Sequence, residues 1–172
     1  IYYQDKPIID TTKTILKGNH NYENMMCAII TGINLNISIT SIKKTLENFK
    51  GVEHRIEYVN TINGVKYYND SKSTNNMATT IALSAFHEPI NLILGGLDRG
   101  QDFLELKDYM QNVKNVLCYG ETKDKIKSFC DKINISCLVF NNLKETVEKA
   151  KQISLSGDIV LLSPACASWD QY

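Results

Sequence analysis

The 172-residue sequence lacks an excess of charge of either sign. Lysine plus arginine equals aspartate plus glutamate at 19 each, which gives a formal net charge of zero at pH 7. Such a balance gives the chain no bulk attraction for nucleic acid or for an acidic membrane surface. Any anion site must therefore be local, and we expect it to consist of a few placed cations or backbone N–H groups.

The sequence also lacks any apolar run near the roughly 18 residues that a membrane-spanning helix requires, so we expect no membrane insertion. No secretory leader is recognisable, although the first residue is Ile1 and not an initiator methionine. The five cysteines include no C-x-x-C pair, which disfavours a disulfide framework and indicates a reducing compartment. Cys27, Cys118 and Cys137 lie in apolar runs, where we expect small buried side chains. We therefore expect a cytoplasmic protein.

Two segments of different pattern divide the chain. A hydrophobic content of 43% with 22% charged residues excludes a disordered chain. Residues 1–50 contain apolar residues at helical spacing in 22–31 and 40–49, which predicts two amphipathic helices. From Gly51 onward strands alternate with helices, so we place a domain boundary there. The second segment has predicted strands at 56–60, 65–69, 90–94, 115–119, 135–140 and 158–162, and predicted helices at 77–86, 104–110, 123–132 and 143–154.

The strands of the second segment are near-continuous runs of valine, isoleucine and leucine. Such strands are typical of a mainly parallel sheet that is covered on both faces. We therefore predict an α/β fold with a Rossmann-like, doubly wound sheet in residues 51–172. The Asn63-Gly64 pair predicts a tight hairpin between the first two strands. No covering helix follows the last strand, so both ends of the sequence have the appearance of cuts.

Three polar loops, 69–75, 95–100 and 163–168, follow predicted strands. Ligands of open α/β sheets bind beyond the carboxyl ends of the strands. The loops offer two cations, two carboxylates, several hydroxyls and exposed backbone N–H groups. This mixture suits an anionic ligand such as a phosphate or a carboxylate.

Each loop also has a simpler interpretation. Residues 70–74 could cap the helix that follows, because serine, threonine and aspartate satisfy free helical N–H groups. Gly95-Gly96 does not form a G-x-G-x-x-G fingerprint and could be only a tight turn. No histidine is placed by sequence to activate Cys166, so a small packed cysteine is favoured over a nucleophile.

Two further groups lie outside these loops. Asn21 and Asn24 are three positions apart on a predicted helix, so both amides could reach the same edge of an adenine. The alternative is that Asn19 or Asn21 caps this helix. Arg55, at the domain boundary, is either a solvated charge or a bidentate phosphate ligand.

Taken together, five segments resemble the motifs of the Mur ligase family, in that family's order and over nearly the whole chain. They are G-N-H-N-Y-E-N at 18–24, F-K-G-V-E-H-R-I-E at 49–57, N-D-S-K-S-T-N at 69–75, G-G-L-D-R-G at 95–100 and L-L-S-P-A-C-A-S at 161–168. The Asp-Ser-Lys-x-Thr-Asn segment is similar to the branch that adds D-glutamate. Branches that add L-alanine or the third residue carry Asp-Tyr-Ala-His sequences there.

The resemblance implies that residues 1–50 are the end of a central ATPase domain and that residues 51–172 are a truncated C-terminal ligase domain. It implies an ATP-dependent ligase of peptidoglycan synthesis, which phosphorylates the carboxylate of UDP-N-acetylmuramoyl-L-alanine and lets the amine of D-glutamate attack the acyl phosphate. The family's Mg²⁺ ligands and P-loop would lie upstream of Ile1, so we expect no metal ligand here. We also expect a monomer, and no activity from these 172 residues alone.

The resemblance also implies a role for each matching residue. Lys72 takes the catalytic position, near the phosphates or the incoming substrate. The implied ATP-binding residues are Asn21, Asn24, Arg55 and Asp70. The implied D-glutamate-binding residues are Thr74, Arg99, Ser168 and Trp169. Many family members carry lysine at the position of Arg99, and the planar fork of arginine can also bind a carboxylate bidentately.

Two other functions stay open from the sequence. A folylpolyglutamate-type ligase also joins glutamate through an acyl phosphate. A non-catalytic module could use the Rossmann-like domain only to hold a small anion.

Overall fold

A computed structural model describes residues 1–16 and 18–169 of the chain. The chain divides into two compact units, of which the first is Ile1–Val52 and the second begins at Glu53. In the described part of the chain, no helix has both the length and the apolar character that crossing a membrane would need.

The first unit pairs a small β-ribbon with two helices. Strands β1 (Tyr2–Tyr3) and β2 (Lys6–Pro7) are antiparallel, and a 3-10 helix follows at Thr11–Lys13. Helices α1 (Asn19–Asn34) and α2 (Ile39–Asn48) complete the unit. Its core consists of Ile8, Ile9, Met25, Ile29, Ile42 and Leu46.

Helical periodicity decides which apolar residues of α1 are buried. Met25 and Ile29, four positions apart, lie on one face and are 4% and 1% exposed. Cys27 is exposed, so the prediction that it is buried was wrong. Two residues correspond to about 200° of rotation around a helix, which turns Cys27 away from the face that Met25 buries.

The described part of the second unit, which ends at residue 169, contains a six-stranded sheet with four helical segments. Its strands are β3 (Glu57–Ile62), β4 (Val65–Asn69), β5 (Ile90–Gly95), β6 (Val113–Tyr119), β7 (Ser136–Val139) and β8 (Ile159–Leu162). Its helices are α3 (Asn76–Ser84), a 3-10 helix at Phe103–Tyr109, α4 (Lys123–Lys132) and α5 (Leu143–Ile153). The strand order is β3-β4-β8-β5-β6-β7. Only the β3–β4 pair is antiparallel, and the other described pairs are parallel.

Alternating side chains of the buried strands face two separate cores. On β5, Leu92 and Leu94 belong to a core that includes residues of α3, α4 and the 3-10 helix, whereas Ile93 faces the other core. That other core includes Ala150 of α5. Because helices cover both faces of a mainly parallel sheet, the predicted doubly wound α/β class is confirmed.

Two local predictions have different outcomes. The Asn63-Gly64 pair joins β3 to β4 as expected, with φ values of 52° and 78° that suit a two-residue hairpin turn. The segment predicted as an α-helix at 104–110 is instead a 3-10 helix at Phe103–Tyr109. Phe103 and Leu106 are both buried, and a three-residue spacing aligns such side chains in a 3-10 helix.

Candidate functional site

The three polar loops meet at one edge of the sheet. Strands β4, β8 and β5 are neighbours, and both β4–β8 and β5–β8 are parallel pairs, so their carboxyl ends point the same way. Gly95 N–H donates to the Pro164 carbonyl at 3.0 Å, and Leu97 N–H donates to the Ala167 carbonyl at 2.9 Å. The loop after β5 is therefore bonded directly to the loop after β8.

Asp70 lies beneath this edge and is 3% exposed. One carboxylate oxygen accepts from Ile56 N–H at 3.1 Å. The other accepts from the hydroxyls of Ser73 at 2.5 Å and Ser163 at 2.7 Å. Its own N–H donates to the Leu162 carbonyl at 2.7 Å. Asp70 thus joins three segments of the chain, and its contact with ATP stays a prediction.

The hydroxyl of Ser163 extends this network to α3. Its oxygen lies 3.1 Å from the hydroxyl of Thr79, and that hydroxyl donates to the Ser163 carbonyl at 3.3 Å. Both residues are 0% exposed. Buried hydroxyls that are fully hydrogen-bonded hold neighbouring segments in one arrangement. The ends of β4 and β8 and the first turns of α3 are tied together in this way.

Arg55 lies in a strained segment that this network holds. Its neighbours His54 and Ile56 have φ values of 67° and 45°, which are uncommon for residues other than glycine and most of all for a β-branched one. Ile56 N–H is bonded to Asp70, and the His54 carbonyl accepts from Lys72 N–H at 3.1 Å. Both neighbours of the exposed Arg55 are therefore hydrogen-bonded to the loop that carries Lys72.

Glycine is required at positions 95 and 96 for two reasons, the positive φ values of the turn and the close approach of neighbouring backbone. The two φ values are 128° and 144°. A Cβ atom on Gly95 would lie 2.0 Å from the Tyr119 carbonyl oxygen, and one on Gly96 would lie 2.3 Å from the Ala167 carbonyl oxygen. Any side chain here would push the loop after β5 away from its neighbours.

Thr122, which is 0% exposed, fixes the same turn from the other side. Its hydroxyl accepts from Gly96 N–H at 3.2 Å and lies 3.1 Å from the Gly96 carbonyl oxygen. The sequence patterns did not single out this residue. The polar Gly120-Glu121-Thr122 segment directly after β6 was the signal that could have found it.

Arg99 projects from this turn. Its guanidinium carbon lies 5.7 Å from the centre of the Trp169 ring, within the range of a cation–π contact. The preceding residue is held by Lys125, whose ammonium lies 2.5 Å from the Asp98 carboxylate. The hydrogen bonds from Lys125 and from Gly100 N–H hold the pKa of Asp98 below its usual range.

The remaining candidate side chains at this edge are exposed, unlike the groups that support them. They are Lys72, Thr74, Arg99, Ser168 and Trp169. Within the part of the chain that the structure describes, neither Lys72 nor Arg99 forms an ion pair. Two available cations with two hydroxyls suit a ligand that carries more than one acidic group. Arg55 and Arg99 are also the only arginines in the sequence.

Asn21 and Asn24 lie in α1 of the first unit, three positions apart as predicted. The helix begins at Asn19 after Gly18, and no side chain of the described residues caps it. The alternative that Asn19 or Asn21 is the capping residue was therefore wrong. Their contact with an adenine stays a prediction.

Two of the simpler interpretations are settled by contacts. The residue that caps α3 is Asn75, whose side chain accepts from Ala78 N–H at 2.9 Å, so residues 70–74 are not the cap. Cys166 is 1% exposed, and its sulfur lies 2.8 Å from the Gln101 amide nitrogen and 3.5 Å from the Thr122 hydroxyl. These contacts support the packed cysteine.

Comparison with known proteins gives a family match for most of the chain. Residues 54–166 match the family described as Mur ligase, glutamate ligase domain. The whole chain is 45% identical to the UDP-N-acetylmuramoylalanine--D-glutamate ligase of Shouchella clausii and 47% identical to the protein of that name from Oenococcus oeni. The chain spans only 38% and 40% of the lengths of these two relatives.

Among solved structures, the UDP-N-acetylmuramate-alanine ligase of Thermotoga maritima has a similar fold. The match has a TM-score of 0.69 at 19% sequence identity and covers 87% of this chain and 35% of the other. At this identity the likeness concerns the fold alone.

Proposed function

The chain belongs to the Mur ligase family, and from this premise we propose that it forms the amino-acid-binding region and part of the ATP-binding site of a D-glutamate ligase. The proposed reaction joins D-glutamate to UDP-N-acetylmuramoyl-L-alanine for peptidoglycan synthesis. The names of the 45% and 47% identical relatives support this choice of substrates. We further propose that residues 1–50 are the end of a central ATPase domain, and that the enzyme is cytoplasmic and monomeric.

The observation that carries the proposal is the convergence of the loops after β4, β8 and β5. D-glutamate has two carboxylates, and these loops present two cations and two hydroxyls on a rigid buried framework. Arginine binds a carboxylate through two parallel hydrogen bonds, which suits Arg99. We assign Thr74, Arg99, Ser168 and Trp169 to the D-glutamate site.

We propose that Arg55 and Asp70 of the second unit bind ATP, and we assign Asn21 and Asn24 of the first unit, each unit taken by itself, to the adenine. Arg55 would neutralise phosphate charge, and Asp70 would hold Arg55 in place through the Ile56 N–H group in addition to its proposed contact with the nucleotide. Lys72, directly bonded through its backbone to His54, is the proposed catalytic cation. A positioned cation lowers the cost of charge that develops during phosphoryl transfer.

In the proposed chemistry, the acceptor carboxylate first takes the terminal phosphoryl group of ATP. The amine of D-glutamate then attacks the acyl carbon, a C–N bond forms, the amine loses a proton and inorganic phosphate leaves. We propose that the Mg²⁺ ligands of the ligase lie in the part of its relatives that this chain does not span.

The test uses a full-length ligase that contains these 172 residues. We expect amide formation with D-glutamate and not with L-glutamate, and no use of a folate acceptor. Arg99→Ala should raise the KM for D-glutamate about 10- to 100-fold, because a lost charge-assisted contact costs about 1.5–3 kcal/mol. Lys151→Ala, an exposed change on α5, is the matched control and should leave the KM unchanged.

Three outcomes would overturn the proposal. Preference for a folate acceptor would favour the folylpolyglutamate reaction, and anion binding without turnover would favour the non-catalytic module. An Arg99→Ala effect on the KM for ATP alone would remove the D-glutamate assignment. We also expect the isolated 172 residues neither to hydrolyse ATP nor to form the amide.

A further inference from the structure

Three thiols meet on one face of the sheet, in a place that the proposed ligase chemistry does not use. Cys118 belongs to β6, Cys130 to α4 and Cys137 to β7. The sulfurs of Cys118 and Cys137 are 3.6 Å apart, and Cys130 lies in the same hydrophobic core as Cys118, with Cys137 packed against it. All three are free thiols.

The three thiols differ in exposure. Cys118 and Cys130 are 0% exposed, whereas Cys137 is only partly buried. Cys137 belongs to β7, which forms one edge of the sheet. Small molecules therefore reach Cys137 first. Cys27 and Cys166 are separate from this group, the former on α1 and the latter against Gln101.

The surroundings favour the thiolate of Cys137 over those of the other two cysteines. Thiol donors on Cys118 and Cys130 lower the pKa of Cys137, and the nearby Lys127 acts in the same direction. The same hydrogen bonds, together with burial, raise the pKa of Cys118 and of Cys130. A thiolate and not a thiol attacks an oxidant, so one reactive sulfur lies beside two protonated ones.

A metal site is not the best account of this cluster. Among the described residues, no three side chains of the usual ligand types are arranged to hold a metal ion. A reactive thiolate next to a second thiol is instead the arrangement that lets a sulfenic acid condense to a disulfide. We propose that Cys137 and Cys118 form an oxidation site that reacts with hydroperoxides and closes to an intramolecular disulfide.

The reaction balances with one hydroperoxide molecule. The Cys137 thiolate attacks an oxygen of hydrogen peroxide, the O–O bond breaks, and the departing hydroxide takes a proton and becomes water. The Cys118 sulfur then attacks the Cys137 sulfenic acid, the S–O bond breaks, the S–S bond forms and a second water leaves. Two electrons pass from the two sulfurs to the peroxide. The sulfurs must approach by about 1.5 Å, because a disulfide bond is about 2.05 Å long. The register pairs Cys118 with Val139 and not with Cys137, so the edge strand β7 must also shift along β6 for the bond to close.

The disulfide would also release a contact at the start of α4. The Cys118 sulfur lies 3.5 Å from the Lys123 carbonyl oxygen, and closing the disulfide would draw it away from that oxygen. Lys123 directly follows Thr122, whose hydroxyl fixes the Gly96 turn. Oxidation would therefore change a contact of Lys123, the neighbour of Thr122, and Thr122 supports the loop that carries Arg99.

The test treats the 172-residue chain with hydrogen peroxide, blocks the remaining thiols with an alkylating reagent and maps the peptides by mass spectrometry. We expect a Cys118–Cys137 cross-link that a dithiol reductant reverses. Cys137→Ser should abolish the cross-link. Cys27→Ser is the matched control, at an exposed cysteine outside the cluster, and it should retain the cross-link. Cys130→Ser should also retain it.

A folding defect in a variant does not decide the question, because the unchanged chain provides a second measurement. Urea unfolds the chain and so separates the two sulfurs. Oxidation in urea should therefore no longer favour the Cys118–Cys137 cross-link over other cysteine pairs. The proposal is overturned if native protein gives no disulfide, gives mainly another pair, or oxidises at Cys27 while the cluster stays reduced. It is also overturned if the Cys118–Cys137 cross-link forms equally in folded and unfolded chains.

Discussion

The Ser163 hydroxyl donates to the Asp70 carboxylate at 2.7 Å, although the two residues are 93 positions apart. This bond joins the end of β4 to the end of β8, and the same carboxylate also holds Ile56 and Ser73. The exposed groups of the proposed site therefore depend on a buried polar framework. Substitutions within that framework should change the stability of the fold, whereas substitutions of the exposed groups should change substrate binding.

Asp70→Ala should destabilise the fold by about 2–4 kcal/mol, because it leaves buried donors without their acceptor. Urea denaturation followed by circular dichroism measures this change in unfolding free energy. Ser71→Ala, at the exposed neighbouring position, should change it by less than about 0.5 kcal/mol. Equal stability of the Asp70→Ala variant and the unaltered chain would contradict the supporting role of this carboxylate.

The two glycines at positions 96 and 100 provide a matched comparison at one loop. Both have positive φ values, of 144° and 80°, but a Cβ at Gly96 meets the Ala167 carbonyl oxygen, whereas a Cβ at Gly100 has nothing within 4 Å. Gly100→Ala should cost only the backbone penalty of about 1–2 kcal/mol.

Gly96→Ala should cost more than Gly100→Ala, because the backbone of the neighbouring loop must also move. Denaturation midpoints give the order of stability, and hydrogen exchange of the Leu97 amide reports its bond to Ala167. If both variants lose the same stability and protect Leu97 equally, the close approach at Gly96 has no energetic role.

The sheet and most helices were predictable because their signals are local. The bounds of β4 and α4 agree with the predicted segments, and those of α5 differ by one residue. Continuous apolar runs mark buried strands, and a three-to-four-residue spacing marks helices. The 3-10 segment at Phe103–Tyr109 differs from an α-helix in its hydrogen bonds and its tighter turn, but apolar residues three positions apart, such as Phe103 and Leu106, fit both kinds of helix.

The loops of the site were predictable, but their supporting contacts were not. A polar segment after a buried strand is visible in sequence, as at Lys72 and Arg99. The position of β8 between β4 and β5 arises from the topology of the sheet, which periodicity does not give. For the same reason, Thr122 was missed, since its partner Gly96 is 26 positions away.

An ion pair between a buried carboxylate and an exposed lysine, at the opposite end of β8, should make stability depend on pH. Lys114 lies 2.8 Å from the Asp158 carboxylate, which is 5% exposed at its side chain. Burial acts to raise the pKa of Asp158, but the Leu155 N–H bond, Lys114 and Asn91 outweigh it, so the pKa is lowered. The stability that this carboxylate contributes is thus present above its unfolded pKa and is lost as pH falls through the folded one.

Asp158→Asn should therefore reduce the free energy of unfolding by about 1–3 kcal/mol at pH 7. The difference from the unaltered chain should shrink as the pH falls below about 4, where the unfolded-state carboxyl becomes protonated. Urea titrations at a series of pH values measure this difference. Asp131→Asn, an exposed control, should show little effect at any pH. A difference that stays constant down to acid pH would contradict the assigned pair.

The contact of Arg99 with Trp169 allows two roles of the indole to be separated. Trp169 is 74% exposed and its ring lies 5.7 Å from the guanidinium carbon. An exposed cation–π contact contributes about 0.5–1 kcal/mol, so Trp169→Leu in a full-length ligase should raise the KM for D-glutamate about two- to fivefold. Trp169→Phe keeps an aromatic face and should have a smaller effect.

A double-mutant cycle distinguishes positioning from direct contact. If Trp169 acts by orienting Arg99, Trp169→Leu should have no further effect on the KM for D-glutamate once Arg99 is alanine. If the indole itself contacts the substrate, the two effects should add, and the positioning role would be excluded. Because the expected change concerns binding of one substrate, kcat and the KM for ATP should stay at their unaltered values in Trp169→Leu.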